Sequence, residues 1–253
     1  MSALNRNGVQ IYYEVHGSGP TVLLTHGYSA TAEMWQPNID ALSRHYHLIL
    51  WDMRGHGQTD SPDDPAAYSE ELTVGDMAAL LDVHGVEHAV IGGLSLGGYM
   101  SLAFQLAHPK RVTALMLFDT GPGYRKDDGR AGWNKRAEAT AREYEIKGLA
   151  ALGRSAEVLT SHHRSAQGLA HAARGMLAQR DARVISSLDS IKVPTLVLAG
   201  AKDEPFLAAT DYMASKIPGA TKVIIPDAGH AANIDQPEAF NRVVLEFLER
   251  AGV

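Results

Sequence analysis

Residues 91–100 read IGGLSLGGYM, four glycines around one serine between two apolar runs. Glycine inside a regular element costs about 0.5–1 kcal/mol relative to alanine, mostly in backbone entropy, so so dense a cluster needs a geometric reason. The five residues Gly93-Leu94-Ser95-Leu96-Gly97 fit the pattern G-x-S-x-G. HAVIG before them suits a buried strand, and LGGYMSLAFQLAHP after them suits an apolar helix. A serine on a sharp strand-to-helix turn has a strained backbone and a hydroxyl pushed out above the sheet. Such a turn crowds neighbouring backbones and leaves no room for Cβ atoms two positions to either side. The glycines therefore predict a nucleophile elbow at Ser95. The helix N-terminus behind it offers N–H groups and partial positive charge to a developing oxyanion.

A strand ending at Ser95 needs neighbours of the same kind, and the chain supplies them. TVLLTHG, HLILWDMRGHG, RVTALMLFDTG, PTLVLAGAKD and TKVIIPDAGH each hold a short apolar run without polar alternation. Such runs suit strands covered on both faces, as in a parallel sheet. Asn7-Gly8 within LNRNGVQIYYEV predicts an N-terminal hairpin. Helical patterns over 33–44, 70–83, 96–107, 206–216 and 237–250 alternate with the strands. The last begins with Pro237 and ends before Gly252, as helices prefer. The expected fold class is α/β, a doubly wound, mostly parallel sheet. Its strands end in loops bearing Gly, His, Asp or Ser, where such sheets place their ligands. Residues 121–190 break the alternation with Ala/Arg/Glu-rich helical stretches, RAEATAREYEIKGLAAL and GLAHAARGMLAQRDARV. The expected organisation is a core domain of residues 1–120 and 191–253 with an inserted helical cap of residues 121–190.

A serine hydroxyl is a poor nucleophile until a base takes its proton, and that base needs an orienting acid. The sheet predicts both at later strand ends, in the order Ser, Asp/Glu, His. GAKDEP supplies Asp203 and IIPDAGH supplies His230. Asp119, in LFDTGPG, also ends a strand and is the second candidate for the acid; Asp227 is read as a turn former. The oxyanion hole needs two donors. The N–H of Leu96 is one, and THGYSA offers the N–H of Tyr28, with Gly27 allowing close approach. Candidate substrate-binding residues are Gly27, Trp35, Tyr124, Trp133 and Phe206, although each aromatic would suit a core equally well.

Composition narrows the function. The chain is 45% apolar and 21% charged, as ordinary globular proteins are. No apolar run approaches the roughly 18 residues of a membrane span, so no membrane partner is expected. MSALNRNGVQ lacks the basic start and apolar core of a signal peptide, and there is no cysteine; a cytoplasmic address is expected. A net charge of −6 argues against nucleic acid as a partner. No dinucleotide or phosphate-loop glycine pattern occurs, and the 12 histidines contain no His-Glu-x-x-His, so neither cofactor nor metal is expected. Residues 121–190 nevertheless carry 12 Lys/Arg against 8 Asp/Glu. Their helices read as a solvated face. A second reading has Arg125, Arg130, Arg164 or Arg174 steering anionic substrates.

Taken together, HGYSATAEMW, DMRGHGQTD, GLSLGG, GAKDEP and DAGHAAN resemble the α/β-hydrolase fold family over essentially the whole chain. Thr59 stands where serine is common in that family. The resemblance implies a triad of Ser95, Asp203 and His230, an oxyanion hole of Tyr28 and Leu96, and a pocket shaped by the cap. Serine at the elbow, in place of aspartate, argues against epoxide opening and halide displacement. The implied activity is cleavage of a small carboxylic ester or lactone through an acyl-enzyme on Ser95, without a cofactor. The alternatives are a carbon–carbon bond hydrolase, a cofactor-free perhydrolase, or a non-catalytic small-molecule receptor.

Overall fold

The computed structural model describes residues 2–253. Eight strands form one sheet: β1 Ser2–Arg6, β2 Val9–His16, β3 Thr21–Thr25, β4 His47–Trp51, β5 Ala89–Leu94, β6 Val112–Phe118, β7 Thr195–Gly200 and β8 Thr221–Ile225. The spatial order is β1-β2-β4-β3-β5-β6-β7-β8. β1 and β2 pair antiparallel across Asn7-Gly8, whose positive φ angles of 54° and 88° make the tight turn. β2 pairs antiparallel with β4, and every pairing from β4 to β8 is parallel. β4 lies on one side of β3 and β5 on the other. The connections leaving β3 and β5 therefore diverge and open a crevice at the strands' carboxyl ends.

Among the described residues ten α-helices accompany the sheet: α1 Gln36–Leu42, α2 Glu70–Val83, α3 Leu96–Ala107, α4 Asp127–Lys147, α5 Ala156–Leu159, α6 Ala166–Ala172, α7 Arg183–Ser186, α8 Glu204–Lys216, α9 Ala232–Asp235 and α10 Pro237–Ala251. Successive strand residues face opposite sides, and both sides are apolar. Leu23, Ile49, Ile91, Leu117 and Val197 pack with α2, α3 and Met213 of α8. Val22, Leu24, Leu50, Met116 and Leu198 pack with α1 and α10. This double coverage explains why the strands read as unbroken apolar runs.

Two sequence expectations change. Residues 33–44 form a 3₁₀ turn over Ala32–Trp35 followed by α1, because Pro37 lies in the first turn of a new helix and cannot donate within an older one. GLAHAARGMLAQRDARV is not one helix: α6 runs into a π turn over Ala173–Leu177 and stops. A Cβ on Gly175 would lie 2.8 Å from the Tyr68 Cβ, so this backbone is seated against Tyr68. Between β6 and β7 the described residues form only helical segments and loops, with a small core of Ala141, Tyr144, Leu169, Ala170 and Ala173.

The loop after β4, DMRGHGQTD, is structural. Asp52 accepts from the Ala32 and Gln58 N–H groups, each at 2.8 Å. Thr59 donates to the Asp52 carbonyl at 2.6 Å and accepts from the Tyr12 N–H at 2.8 Å, using the hydroxyl it shares with serine. Arg54 is buried in a bidentate pair with Asp76 of α2, at 2.6 and 2.9 Å. His56 is buried and donates to the Arg54 carbonyl at 3.1 Å.

Candidate active site

Ser95 sits between β5 and α3 at φ 54°, ψ −115°. A non-glycine residue in that region stores about 1–3 kcal/mol of strain and persists only where its surroundings over-determine it. Here they do. Its N–H donates to the Phe118 carbonyl at 2.9 Å, and its carbonyl accepts from the Tyr99 N–H at 3.1 Å and the Thr120 hydroxyl at 2.5 Å. The flanking glycines are required by contact: a Cβ on Gly93 would lie 2.7 Å from the Thr25 carbonyl oxygen, and one on Gly97 2.7 Å from that of His26.

Asp203 precedes α8 and is buried. Its Oδ2 accepts from His230 Nδ1 at 2.9 Å. A carboxylate at Nδ1 holds the ring proton there and leaves Nε2 as the basic nitrogen. Burial alone would lower the His230 pKa, but the hydrogen bond and charge of Asp203, aided by the charges of Asp119 and Glu157, raise it above the ordinary 6.5. The His230 ring stacks on Phe206, centroids 5.0 Å apart at 30°.

Asp119, the other candidate acid, is in a different state. It is fully buried at φ 46°, with Oδ1 accepting from the Gly200 N–H at 2.7 Å and Oδ2 without a partner among the described residues. Burial pushes its carboxyl well above the usual carboxylate range. Among the described residues Asp119 makes no hydrogen bond to the His230 ring, so it fits the role of fastening β6 to the β7 turn that precedes Asp203. Asp227 lies at φ 60° in a turn and pairs with Lys202 at 3.0 Å.

The loop after β3 runs beside the serine: a Cβ on Gly27 would lie 3.4 Å from the Ser95 Cβ. The N–H groups of Tyr28 and Leu96 donate to no acceptor among the described residues. The loop is fixed from below by His26. Its Nε2 accepts from the Met53 N–H at 2.9 Å, so Nδ1 carries the proton and donates to the Gly27 carbonyl at 2.6 Å. Burial drives the His26 pKa down to about 3 and keeps that tautomer neutral. The loop is also fixed from above. The Tyr28 hydroxyl donates to the Leu169 carbonyl at 2.8 Å, Tyr144 and Ser29 hydroxyls meet at 2.8 Å, and His163 Nε2 donates to the Ser29 carbonyl at 2.9 Å. His26 could have been suspected from its place before Gly27; Tyr144 and His163 carry no local signal.

A cavity of about 260 Å³ opens at Ser95. Leu96, Tyr124, Trp133 and Phe206 line it, as do Thr120 and Gln179, which were not singled out from the sequence. Trp35 does not. It is fully buried between Phe118 and Phe240 in the core on the α1/α10 side, because the 3₁₀ turn before α1 aims it at the sheet. Three of the four arginines considered for steering are paired with other groups. Arg174 binds Glu138 and Glu145, Arg164 donates to the carbonyls of residues 57–59, and Arg130 pairs with Asp127. Among the described residues no group of three or more His, Asp or Glu is placed to hold a metal ion, and no helix is long and apolar enough to cross a membrane.

Residues 22–243 match the model of the alpha/beta hydrolase family. The chain is 30% identical to 3-oxoadipate enol-lactonase 1 of Acinetobacter baylyi, over 97% of this chain and 95% of that protein. Among solved structures it resembles the enol-lactonase from Burkholderia xenovorans LB400, at a TM-score of 0.79 and 26% identity over 98% of this chain and all of that one. It also resembles a thermophilic esterase from Thermogutta terrifontis with malate bound, at 0.83 and 28% over 99% and 97% of the two chains.

Proposed function

The chain belongs to the alpha/beta hydrolase family, and from that premise we propose that it is a serine hydrolase cleaving a small carboxylic ester or lactone through an acyl-enzyme. The observation that carries the proposal is the alignment of Ser95, Asp203 and His230 at the carboxyl ends of β5, β7 and β8, with His230 bonded to Asp203 and stacked on a wall of the cavity that Ser95 opens into. His230 Nε2 takes the Ser95 proton as the hydroxyl oxygen attacks the substrate carbonyl. The carbonyl oxygen becomes an oxyanion and accepts from the Tyr28 and Leu96 N–H groups, each such donor being worth about 2.7–4 kcal/mol of barrier. The imidazolium, steadied by the Asp203 carboxylate, passes its proton to the leaving alcohol. A water activated by the same nitrogen then releases the acid. Among the relatives' names, those of the enol-lactonases and the esterase support this choice of bond, while others at the same identity are named for a carbamate hydrolase and a synthase.

The base must be neutral to act. Its raised pKa therefore places the acid limb of kcat/KM above 6.5: activity is lost as pH falls through the His230 pKa and is full above it. A pH profile of p-nitrophenyl acetate hydrolysis tests this. A limb below 6.5 would contradict the raised pKa, and a rate indifferent to pH from 5 to 9 would remove His230 as the base.

A further inference from the structure

The polar groups lining the Ser95 cavity are mostly committed within the protein. The Thr120 hydroxyl donates to the Ser95 carbonyl, the Tyr99 hydroxyl to Glu70 at 2.8 Å, and the Trp133 indole N–H to the Leu177 carbonyl at 2.8 Å. Among the described residues no Lys, Arg, His, Asp or Glu lines the cavity. The nearby cations are held away from it: Arg130 donates to the carbonyls of Tyr124 and Arg125, and Arg125 reaches the Tyr212 hydroxyl.

Gln179 is the exception. Its backbone is clamped on both sides by Asn134, which accepts from the Gln179 N–H and donates to the Gln179 carbonyl, each at 2.8 Å. Its Oε1 accepts from the Tyr124 N–H at 3.1 Å, which fixes the orientation of the amide. Nε2 is then the outward branch, and it meets no acceptor among the described residues, although the residue is only 8% exposed. That N–H is an uncommitted donor at the cavity wall, which a ligand acceptor can take up. Tyr124, whose hydroxyl is likewise unpartnered, is 42% exposed and has water to satisfy it.

We infer that the Ser95 cavity takes an uncharged substrate bearing a second oxygen acceptor beside the scissile carbonyl, read by Gln179 Nε2, and that it rejects substrates carrying a carboxylate. This rests on the hydrolase reading above. An anion entering a space walled mostly by apolar side chains, with no Lys or Arg on those walls, would lose hydration with no fixed charge to replace it. One neutral donor does suit a carbonyl or ether oxygen. The volume of about 260 Å³ falls below the roughly 300–1,000 Å³ of sites for drug-sized ligands, so the substrate is small. This preference would separate the chain from the relative named for 3-oxoadipate and from the esterase solved with malate.

Dimethyl succinate and monomethyl succinate differ by one ionised carboxylate and little else, and both can be measured as competitors of p-nitrophenyl acetate hydrolysis at pH 8 and fixed ionic strength. The diester is expected to compete at a concentration about 100-fold below that of the monoester. Gln179→Met, which keeps the length and removes the donor, is expected to weaken the diester about tenfold. Equal potency, or a stronger monoester, would overturn the inference while leaving the hydrolase reading intact. Absence of any Ser95-dependent hydrolysis of p-nitrophenyl acetate would remove that reading, and this inference with it.

Discussion

Replacing Ser95 with alanine is expected to lower kcat for ester hydrolysis by on the order of 10⁵–10⁶-fold, because nucleophile and base act as a unit and neither is useful alone. The variant keeps the fold. Alanine at φ 54° bears the same backbone strain as serine, and the bonds from the Ser95 N–H to Phe118 and from Tyr99 and Thr120 to its carbonyl involve only the backbone of residue 95. The two readouts are therefore kcat and the thermal midpoint. A variant that retained more than about a hundredth of the wild-type rate would show that the acyl group does not pass through this hydroxyl.

The second large effect separates two aspartates that the sequence alone does not. Asp203→Asn is expected to lower kcat by about 10⁴-fold, since an amide at the 2.9 Å contact turns the His230 ring to the wrong tautomer and offers no charge to the imidazolium. Asp119→Asn is expected to cost less than about tenfold, as Asp119 makes no hydrogen bond to the His230 ring among the described residues and the amide keeps an acceptor for the Gly200 N–H. The pH profile supplies a control. Removing the Asp203 charge should also move the His230 limb to lower pH, because that charge is among the causes of its rise. If Asp119→Asn were the crippling change, the assignment of the acid would be reversed.

How far the sequence was readable depended on the range of the interactions concerned. α2 at Glu70–Val83 and α3 at Leu96–Ala107 begin and end as the apolar periodicity predicts, because local pattern and tertiary packing agree there. The elbow was readable because its glycines answer to backbone contacts that nothing larger could occupy. Asp203 and His230 could be placed at strand ends, and their hydrogen bond then follows from the adjacency of β7 and β8. Trp35 could not be placed, since its residue type suits a pocket wall and a core alike and only the 3₁₀ turn before α1 decides between them. Gln179 lies 84 positions from Ser95 in a segment with no strand to anchor it, and its partners Asn134 and Tyr124 come from around and within α4. The arginine excess of residues 121–190 was visible, but its pairing with Glu138, Glu145 and the carbonyls of residues 57–59 was not. Charge counts carry no geometry.

In the proposed mechanism His230 and the loop N–H groups activate one hydroxyl. Covalent labelling by a fluorophosphonate tests it most directly, because that reagent traps a serine whose proton has been taken and whose new oxyanion is held. One label per chain is expected, on the peptide containing Ser95, with a labelling rate that falls along the same acid limb as hydrolysis and disappears in His230→Ala. Ester hydrolysis that continued after full labelling, or a label on any other residue, would contradict it.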